Sequence, residues 1–364
     1  MFRPLRHVLD HILTSGCLRL IDADGVAHEF GDRSEQPVVA RITDRRTERR
    51  LFFNPALALG EAYMDGSLVL EHGTIYDLLE VLLGNLDYPS WPRLARLRQG
   101  LRFIQRGFRQ YNPASRARRN VAHHYDLDRH LYDLFLDSDR QYSCAYFEQD
   151  AMSLEEAQAA KKRHIAAKLN LSDGLRVLDI GSGWGGFGLY LAKTAHVDVT
   201  GVTLSEEQLR LSQGRARAEG LSKAVTFELR DYRAVEGQFD RIVSIGMFEH
   251  VGVVHYRAFF DKIRSLLAPN GVALIHSIGR FDGPASTNPF IEKYIFPGGY
   301  IPALSEVLPA VERADLLVTD IEILQLQLTR DVRALPLIRD YVGEAERDLA
   351  LRDIDRQPAR RAKR

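Results

Sequence analysis

The chain has 364 residues, 45% of them hydrophobic and 27% charged, which gives room for two folded domains and excludes a disordered or fibrous protein. Lys+Arg and Asp+Glu each total 49, so overall charge gives no reason to expect a nucleic-acid partner, and any basic surface must come from local patterning. Cys17 and Cys144 fit neither a metal spacing nor a disulfide framework. No apolar run approaches the ~18 residues of a membrane span, and the opening "MFRPLRHVLDHILTSG" is too polar for a secretory signal. A soluble, cytoplasmic protein without a metal is expected.

In chain order, residues 1 to about 90 mix strand-like runs ("VVARITD", "RRLFFN") with helical ones ("LALGEAYMDG", "TIYDLLEVLLGN"). From Trp91 to Arg119 the composition shifts to nine arginines and no acid. There Leu94, Leu97, Leu101, Ile104 and Phe108 recur at spacings of three and four, one face of a helix. Such a basic amphipathic helix can lie on an anionic membrane surface or pack on a neighbouring domain with its arginines solvated. Gly100 and Gly107 weaken it and Pro113 ends it, which puts a domain boundary at Asn112-Pro113. From residue 175 onward "RVLDIG", "VTGVTL", "VTFELRD", "RIVSIG", "VALIHSI" and "LVTDIEIL" are short apolar runs, most of them separated by helical stretches. That alternation predicts an α/β fold, a doubly wound parallel sheet with helices on both faces.

The first of these strands runs into "VLDIGSGWGGFGLYLAK", where Gly181, Gly183 and Gly186 form G-x-G-x-x-G at a strand-to-helix turn. Dinucleotide enzymes and S-adenosylmethionine (SAM) methyltransferases share this turn. A dinucleotide enzyme needs an acid at the end of the second strand, but here that strand ends "GVTLSEEQL". The acids fall instead at Asp179, suited to a cationic amino-acid end, and at Asp231, placed to meet an adenine amino group. The pattern favours SAM over NAD. The fourth strand ends "SIGMFEHVG" and the fifth "ALIHSIG", so Glu249 and His276 open onto one crevice, where Glu249 can act as a base or orient one. The plainer alternatives are a capping acid and a structural histidine.

Together "AHHYDLDRHLYDLFLDSDRQYSCAYFE", "VLDIGSGWGGFGLYLA", "GVTLSEEQL", "SIGMFEHVG", "LIHSIG" and "IEKYIFPGGYIP" resemble the cyclopropane-fatty-acyl-phospholipid synthase family, to which the mycolic acid cyclopropane synthases also belong. The resemblance covers residues 40 to about 325. It includes "LALGEAYMDGSL", which is similar to the N-terminal lipid-associated domain of the bacterial phospholipid enzymes. It implies a class I SAM-methyltransferase, Rossmann-like sheet (113–335), a smaller α+β lipid-associated domain (1–112) and a divergent charged tail (336–364). The implied reaction is SAM-dependent methylene transfer to the cis double bond of an unsaturated phospholipid acyl chain, on the inner face of the cell membrane. Methyl transfer leaves a carbocation, and loss of a proton from the added carbon closes the ring. A dry site with aromatic faces suits such chemistry. By the same resemblance a bound bicarbonate is the base, held by Glu249, His276, Ile245 and the backbone amide of Cys144. Tyr142, Ser143, Asp179, Gly181, Gly183, Thr203, Leu204, Gln208, Asp231 and Tyr232 would hold SAM, with Gln208 at the ribose. The Cys144 thiol is then no nucleophile, and a homodimer is left open.

After "LVTDIEIL" the family continues H-Y-x-x-T-L-x-x-W, whereas this chain reads "QLQLTRDVRALPLIRDY", with Leu328, Asp331 and Leu335 in the tyrosine, threonine and tryptophan places. The C-terminus therefore reads as divergent or truncated. The expectation is that the seventh strand is absent, that "LVTDIEIL" is an unpaired edge, that Tyr341 is the one candidate to replace the family tyrosine, and that "RDIDRQPARRAKR" is disordered. The segment "FDGPASTNPFIEKYIFPGGYIP" is long for a plain connection and suits an acyl-chain lid; the alternative is a packed surface loop. Three further functional readings stay open: a methyl-branching fatty-acid methyltransferase, a non-catalytic SAM- or lipid-binding relative, and an NAD oxidoreductase.

Overall fold

Four strands near the N-terminus, β1 (Cys17–Ile21), β2 (Ala27–Gly31), β3 (Val38–Ile42) and β4 (Leu68–His72), form a sheet ordered β2-β1-β3-β4. The computed structural model describes residues 1–32, 36–85, 100–107, 110, 112, 129–322, 325–336 and 339–354. Two compact units make up the chain: Met1–Arg106 with Ser286–Pro297, and Gly107–Ala285 with Gly298–Arg364.

In the first unit, Leu18, Leu20, Phe30, Val38, Ala40 and Ile42 turn to a core shared with helices Arg3–Ile12, Pro55–Met64 and Ile75–Gly84. "RRLFFN" was expected to be a strand and is instead the end of helix Arg45–Phe53. The Asp44 carboxylate caps that helix by accepting from Thr47 N at 2.8 Å, and Leu51 and Phe52 pack on the core. The helical readings over Pro55–Met64 and Ile75–Gly84 hold; Thr74 and Asp77 close a capping box on the latter. Residues 286–297, the middle of the expected lid, pack within this unit. The Phe290 ring fills the space that a side chain at Gly60 would take, and Lys293 and Tyr294 donate to Glu61 at 2.6 and 2.9 Å. Of the basic stretch, residues 100–107 are helical, with Leu101 and Ile104 exposed; Leu94, Leu97 and Phe108 lie outside the described residues.

The second unit carries β5 (Arg176–Ile180), β6 (Asp198–Thr203), β7 (Val225–Leu229), β8 (Phe239–Ile245), β9 (Leu267–His276), β10 (Leu317–Glu322) and β11 (Gln325–Thr329), in the order β10-β11-β9-β8-β5-β6-β7. β5 to β9 pair in parallel, and β11 is antiparallel to both β9 and β10. Successive residues alternate between two cores, as the pleat requires. Leu178, Ile242, Ala273 and Leu328 face helices Tyr256–Leu266 and Leu304–Glu312. Val177, Val243 and Leu274 face helices Leu154–Lys168, Gly186–Ala195 and Asp340–Ile354. This is the doubly wound α/β arrangement that the alternating runs predict, with helices on both faces of the sheet.

Three expectations about the C-terminus are corrected. The seventh strand is present, because "QLQLT" turns back as β11 and inserts between β9 and β10, so β10 is paired rather than a bare edge. Its alternating glutamines are buried: Gln327 Nε2 donates to Tyr341 Oη at 2.6 Å and to the Lys168 carbonyl. Residues 340–354, within the stretch expected as a divergent charged tail, are a helix, which takes in only 352–354 of the residues expected to be disordered. Val342 and Leu349 are buried in the core, and Glu346 sits 2.6 Å from His164 Nδ1; residues 355–364 lie outside the described residues. Tyr341 is held at Gln327, which pairs with Leu274 two residues back along β9 from His276, so it does not stand in for the family tyrosine.

Leu349→Ala should cost about 2–4 kcal/mol, the usual range for emptying a buried leucine site, read as a lower urea midpoint. A truly disordered tail would leave that midpoint unchanged.

Candidate active site

β5 pairs with β6 on one side and β8 on the other, and the connecting helices leave toward opposite faces. This opens a crevice at the C-terminal ends of the strands, where Asp179, Gly181, Gly183, Thr203, Asp231 and Ile245 line a pocket. Every residue expected to hold the cofactor lines it: these, with Tyr142, Ser143, Leu204, Gln208 and Tyr232. Cys144, Glu249 and His276 do not.

The glycine turn is built for close approach. Gly181 and Gly183 have φ of +81° and +53°, a region that penalises a side chain. A Cβ at Gly183 would meet no atom within 4 Å, so the backbone faces open space at the pocket. Behind the turn Asp179 is buried, its Oδ2 has no hydrogen-bond partner, and burial pushes its carboxyl up to about 7. A buried acid without a counter-charge suits an incoming cation. Thr203 Oγ1 donates to Gln208 Oε1 at 2.8 Å, which leaves the Gln208 Nε2 as the donor available to the pocket. The Asp231 carboxylate is gripped by Arg233, Nε at 2.8 Å and Nη2 at 2.6 Å, so a ligand amino group would share it. Tyr232 stands edge-on to Phe259 at 5.4 Å, its hydroxyl pushed up to about 12 by burial.

At the neighbouring strand ends, Ile245 of β8 lies opposite His276 of β9, and His276 opposite Gln325 of β11. Directly opposed residues share a face, so the three stand in a row. Burial holds His276 down at about 4, assisted by the charges of Lys161, Lys168 and His164, and leaves its Nδ1 unpartnered. At neutral pH this imidazole is uncharged. Glu249 follows β8 in the turn Phe248–His250; its Oε1 accepts from Ile278 N at 2.7 Å, its Oε2 is buried without a partner, and burial raises its carboxyl. Leu328 pairs with Ala273 and faces the opposite core, fully buried, so it is not part of this corner. Cys144 is exposed and free.

Several site residues escaped the sequence reading. Trp184, inside the glycine turn, lines the pocket and stands 5.1 Å from the Tyr132 ring, which in turn stands 5.6 Å from Tyr142. Ile278 was missed because a backbone N–H carries no side-chain signature. Lys161 was missed although a signal existed: with Ala157, Ala160, His164, Ile165 and Lys168 it lies on the buried face of helix Leu154–Lys168, where the spacing calls for apolar residues.

The family model described as mycolic acid cyclopropane synthetase matches residues 113–335. The chain belongs to that family. Cyclopropane-fatty-acyl-phospholipid synthase of Escherichia coli (strain K12) is 40% identical to it over 278 residues, 76% of this chain and 70% of that protein. Tuberculostearic acid methyltransferase of Mycobacterium tuberculosis is 35% identical over 321 residues, 84% of this chain and 72% of its own length. A mycolic acid cyclopropane synthase crystallised with SAH and CTAB superposes with a TM-score of 0.54 at 34% identity, over 58% of this chain and 78% of that one. The chain is thus an enzyme of the SAM-dependent methyltransferase class, of cyclopropane-synthase type.

The buried Asp179 makes stability pH-dependent with a known sign. Its folded pKa is raised, so stability falls as pH rises from the unfolded value near 4 toward about 7. Asp179→Asn should match the wild type near pH 4 and exceed it by about 2–4 kcal/mol at pH 8, measured by urea unfolding. Equal stabilities at pH 8 would mean that Asp179 is charged and compensated.

Proposed function

We propose that the enzyme converts the cis double bond of an unsaturated phospholipid acyl chain into a cyclopropane ring, with S-adenosylmethionine as carbon donor. The observation that carries this reading is the adjacency of two features at one crevice in a member of this family: a glycine-turn pocket backed by an uncompensated acid, and a buried Glu249–His276 corner. When bound, SAM supplies an electrophilic methyl group on a sulfonium. Asp179 would take its ammonium, Gln208 its ribose and Asp231 its adenine amino group, and Tyr142 and Trp184 are the aromatic residues of the lining that could meet positive charge.

Ring closure needs a base for one proton of the added carbon. Glu249 Oε2 and His276 Nδ1, with Gln325 Oε1 beside them, are buried and unpartnered at this corner, and the Ile278 amide fixes Glu249 in place. A bicarbonate held there by Glu249, His276, Ile245 and the Cys144 amide is the proposed base. Uncharged His276 can donate to such an anion, and burial, by raising the Glu249 carboxyl, favours the form of Glu249 that can donate as well. The Cys144 thiol has no role in this scheme. The lipid would be met at the membrane: Leu131, Leu134 and Phe135 are exposed, and their neighbour Tyr132 packs on Tyr142 and Trp184 of the pocket wall. Among the described residues no helix is long and apolar enough to cross a membrane, so contact would be peripheral and, by this reading, on the cytoplasmic face.

The test is mass spectrometry of unsaturated phospholipid vesicles incubated with the protein and SAM. A gain of one CH2 per acyl chain is expected, and fragmentation separates ring from methyl branch. Glu249→Ala, which removes one holder of the bicarbonate, should lower turnover by about ten- to a hundred-fold, the worth of a hydrogen bond to a charged group. Bicarbonate-free buffer should depress turnover reversibly. No mass gain from folded protein that binds SAM would support the non-catalytic reading instead.

A further inference from the structure

Lys161 is a buried cation to which the mechanism above gives no role. It is 1% exposed, and among the described residues no carboxylate lies within ion-pair distance of it. The nearby acids are committed elsewhere: Asp139 to Lys162 at 2.6 Å and to Arg215, Asp137 to the amide of Gln141 at 2.6 Å. Its ammonium donates instead to two neutral oxygens of the pocket wall, Ser143 Oγ at 2.7 Å and Gln141 Oε1 at 2.9 Å. One turn earlier on the same helix, Gln158 Nε2 donates to the backbone carbonyls of Gln141 and Ser143 at 3.1 and 2.9 Å. The helix thus clamps the segment Gln141–Ser143 at points three residues apart.

We propose that Lys161 is a positioning residue that fixes the hydrogen-bond polarity of Ser143, making its hydroxyl a donor to a carboxylate-type anion in the pocket. In its protonated form Lys161 carries donors only, so the Ser143 oxygen then accepts from it, and the single Ser143 O–H must be given elsewhere. Gln141 is fixed the same way: its Oε1 accepts from Lys161 and its Nε2 donates to Asp139 Oδ2 at 3.0 Å. A wall that presents a donor in front of an unpaired buried charge is complementary to an anion and unfavourable for a cation. The groups whose charge reaches Lys161 are Lys162, Asp137, Asp139 and Cys144, and Lys161 in turn reaches His276. Burial, with Lys162, holds Lys161 down at about 7, as expected for a cation that lacks a counter-charge. Two sources fit the chemistry: the α-carboxylate of SAM and free bicarbonate. The proposal rests on the SAM reading above.

Calorimetry on the full chain separates the outcomes, with S-adenosylhomocysteine and 5′-methylthioadenosine as paired probes; the second lacks the amino-acid end. If the anion is the α-carboxylate, Lys161→Met and Ser143→Ala should each weaken S-adenosylhomocysteine by about ten-fold or more, the worth of a charge-assisted hydrogen bond, and leave methylthioadenosine unchanged. If it is bicarbonate, both nucleosides keep their affinity, and the 13C-bicarbonate concentration that half-saturates NMR line broadening rises by a similar factor. Lys161→Arg, which keeps a donor-only cation, should retain the wild-type ratio between the two nucleosides. Equal weakening of both nucleosides would reduce Lys161 to a structural residue and overturn the proposal. So would unchanged binding of all three probes in Ser143→Ala, a result that stands even if Lys161→Met does not fold. Wild-type protein that binds neither nucleoside would sink the SAM reading itself.

Discussion

The site depends on one constraint, the parallel register that places β5 between β6 and β8. Strands paired in this way send their connecting helices to opposite faces, and the gap at the shared C-terminal edge cannot be closed by either. Into that gap the register delivers Asp179 and the glycine turn from β5, Thr203 from β6, and Ile245 from β8. The same pairing carried outward sets Ile245, His276 and Gln325 in a row across β8, β9 and β11. No side chain in the crevice chooses its neighbours; the backbone ladders do.

The crevice is held in a state that is unfavourable without a ligand. Asp179, Glu249, His276 and Gln325 each bury a polar side-chain atom with no partner, and such groups carry a desolvation cost that hydrogen bonds elsewhere do not return. Their environments differ in sign. Burial makes Asp179 and Glu249 poor anions, whereas burial, with Lys161 and Lys168 nearby, makes His276 a poor cation. The same row continues outward into compensated charge: Glu322 pairs with Gln325, and the ammonium of Lys168 lies 2.7 Å from Glu322 and 3.0 Å from Asp320, with Arg339 reaching both acids.

The parts legible in the sequence are those that depend on local pattern. Six of the seven strands of the large sheet announce themselves by short β-branched runs, and the glycine turn with Asp179 by its spacing. The hairpin β10–β11 is illegible because its connection, residues 323–324, is Ile-Leu, with no Gly, Pro, Asn or Asp to punctuate an apolar run. Alternating glutamines suggest a solvated face, yet Gln327 is covered by helices Leu154–Lys168 and Asp340–Ile354 and satisfied by Tyr341. Helix Arg45–Phe53 reads as a strand from its "RRLFFN" end alone, since the cap that decides it lies upstream at Asp44. Lys161 and Ile278 act through an ammonium behind the wall and through a backbone amide, and neither leaves a motif.

The strand order also bears on how the chain assembles as it emerges from the ribosome. β11 lies inside the sheet, between β9 and β10, but follows both in sequence. When β10 leaves the exit tunnel its partner has not yet been made, and until then the outer edge of β9 is open as well. The two strands therefore have to pair with each other and dock as a ready-made ribbon, after the five parallel strands are in place. During that interval the open edge of β9, which ends at His276, is the surface most exposed to pairing with a neighbouring nascent chain.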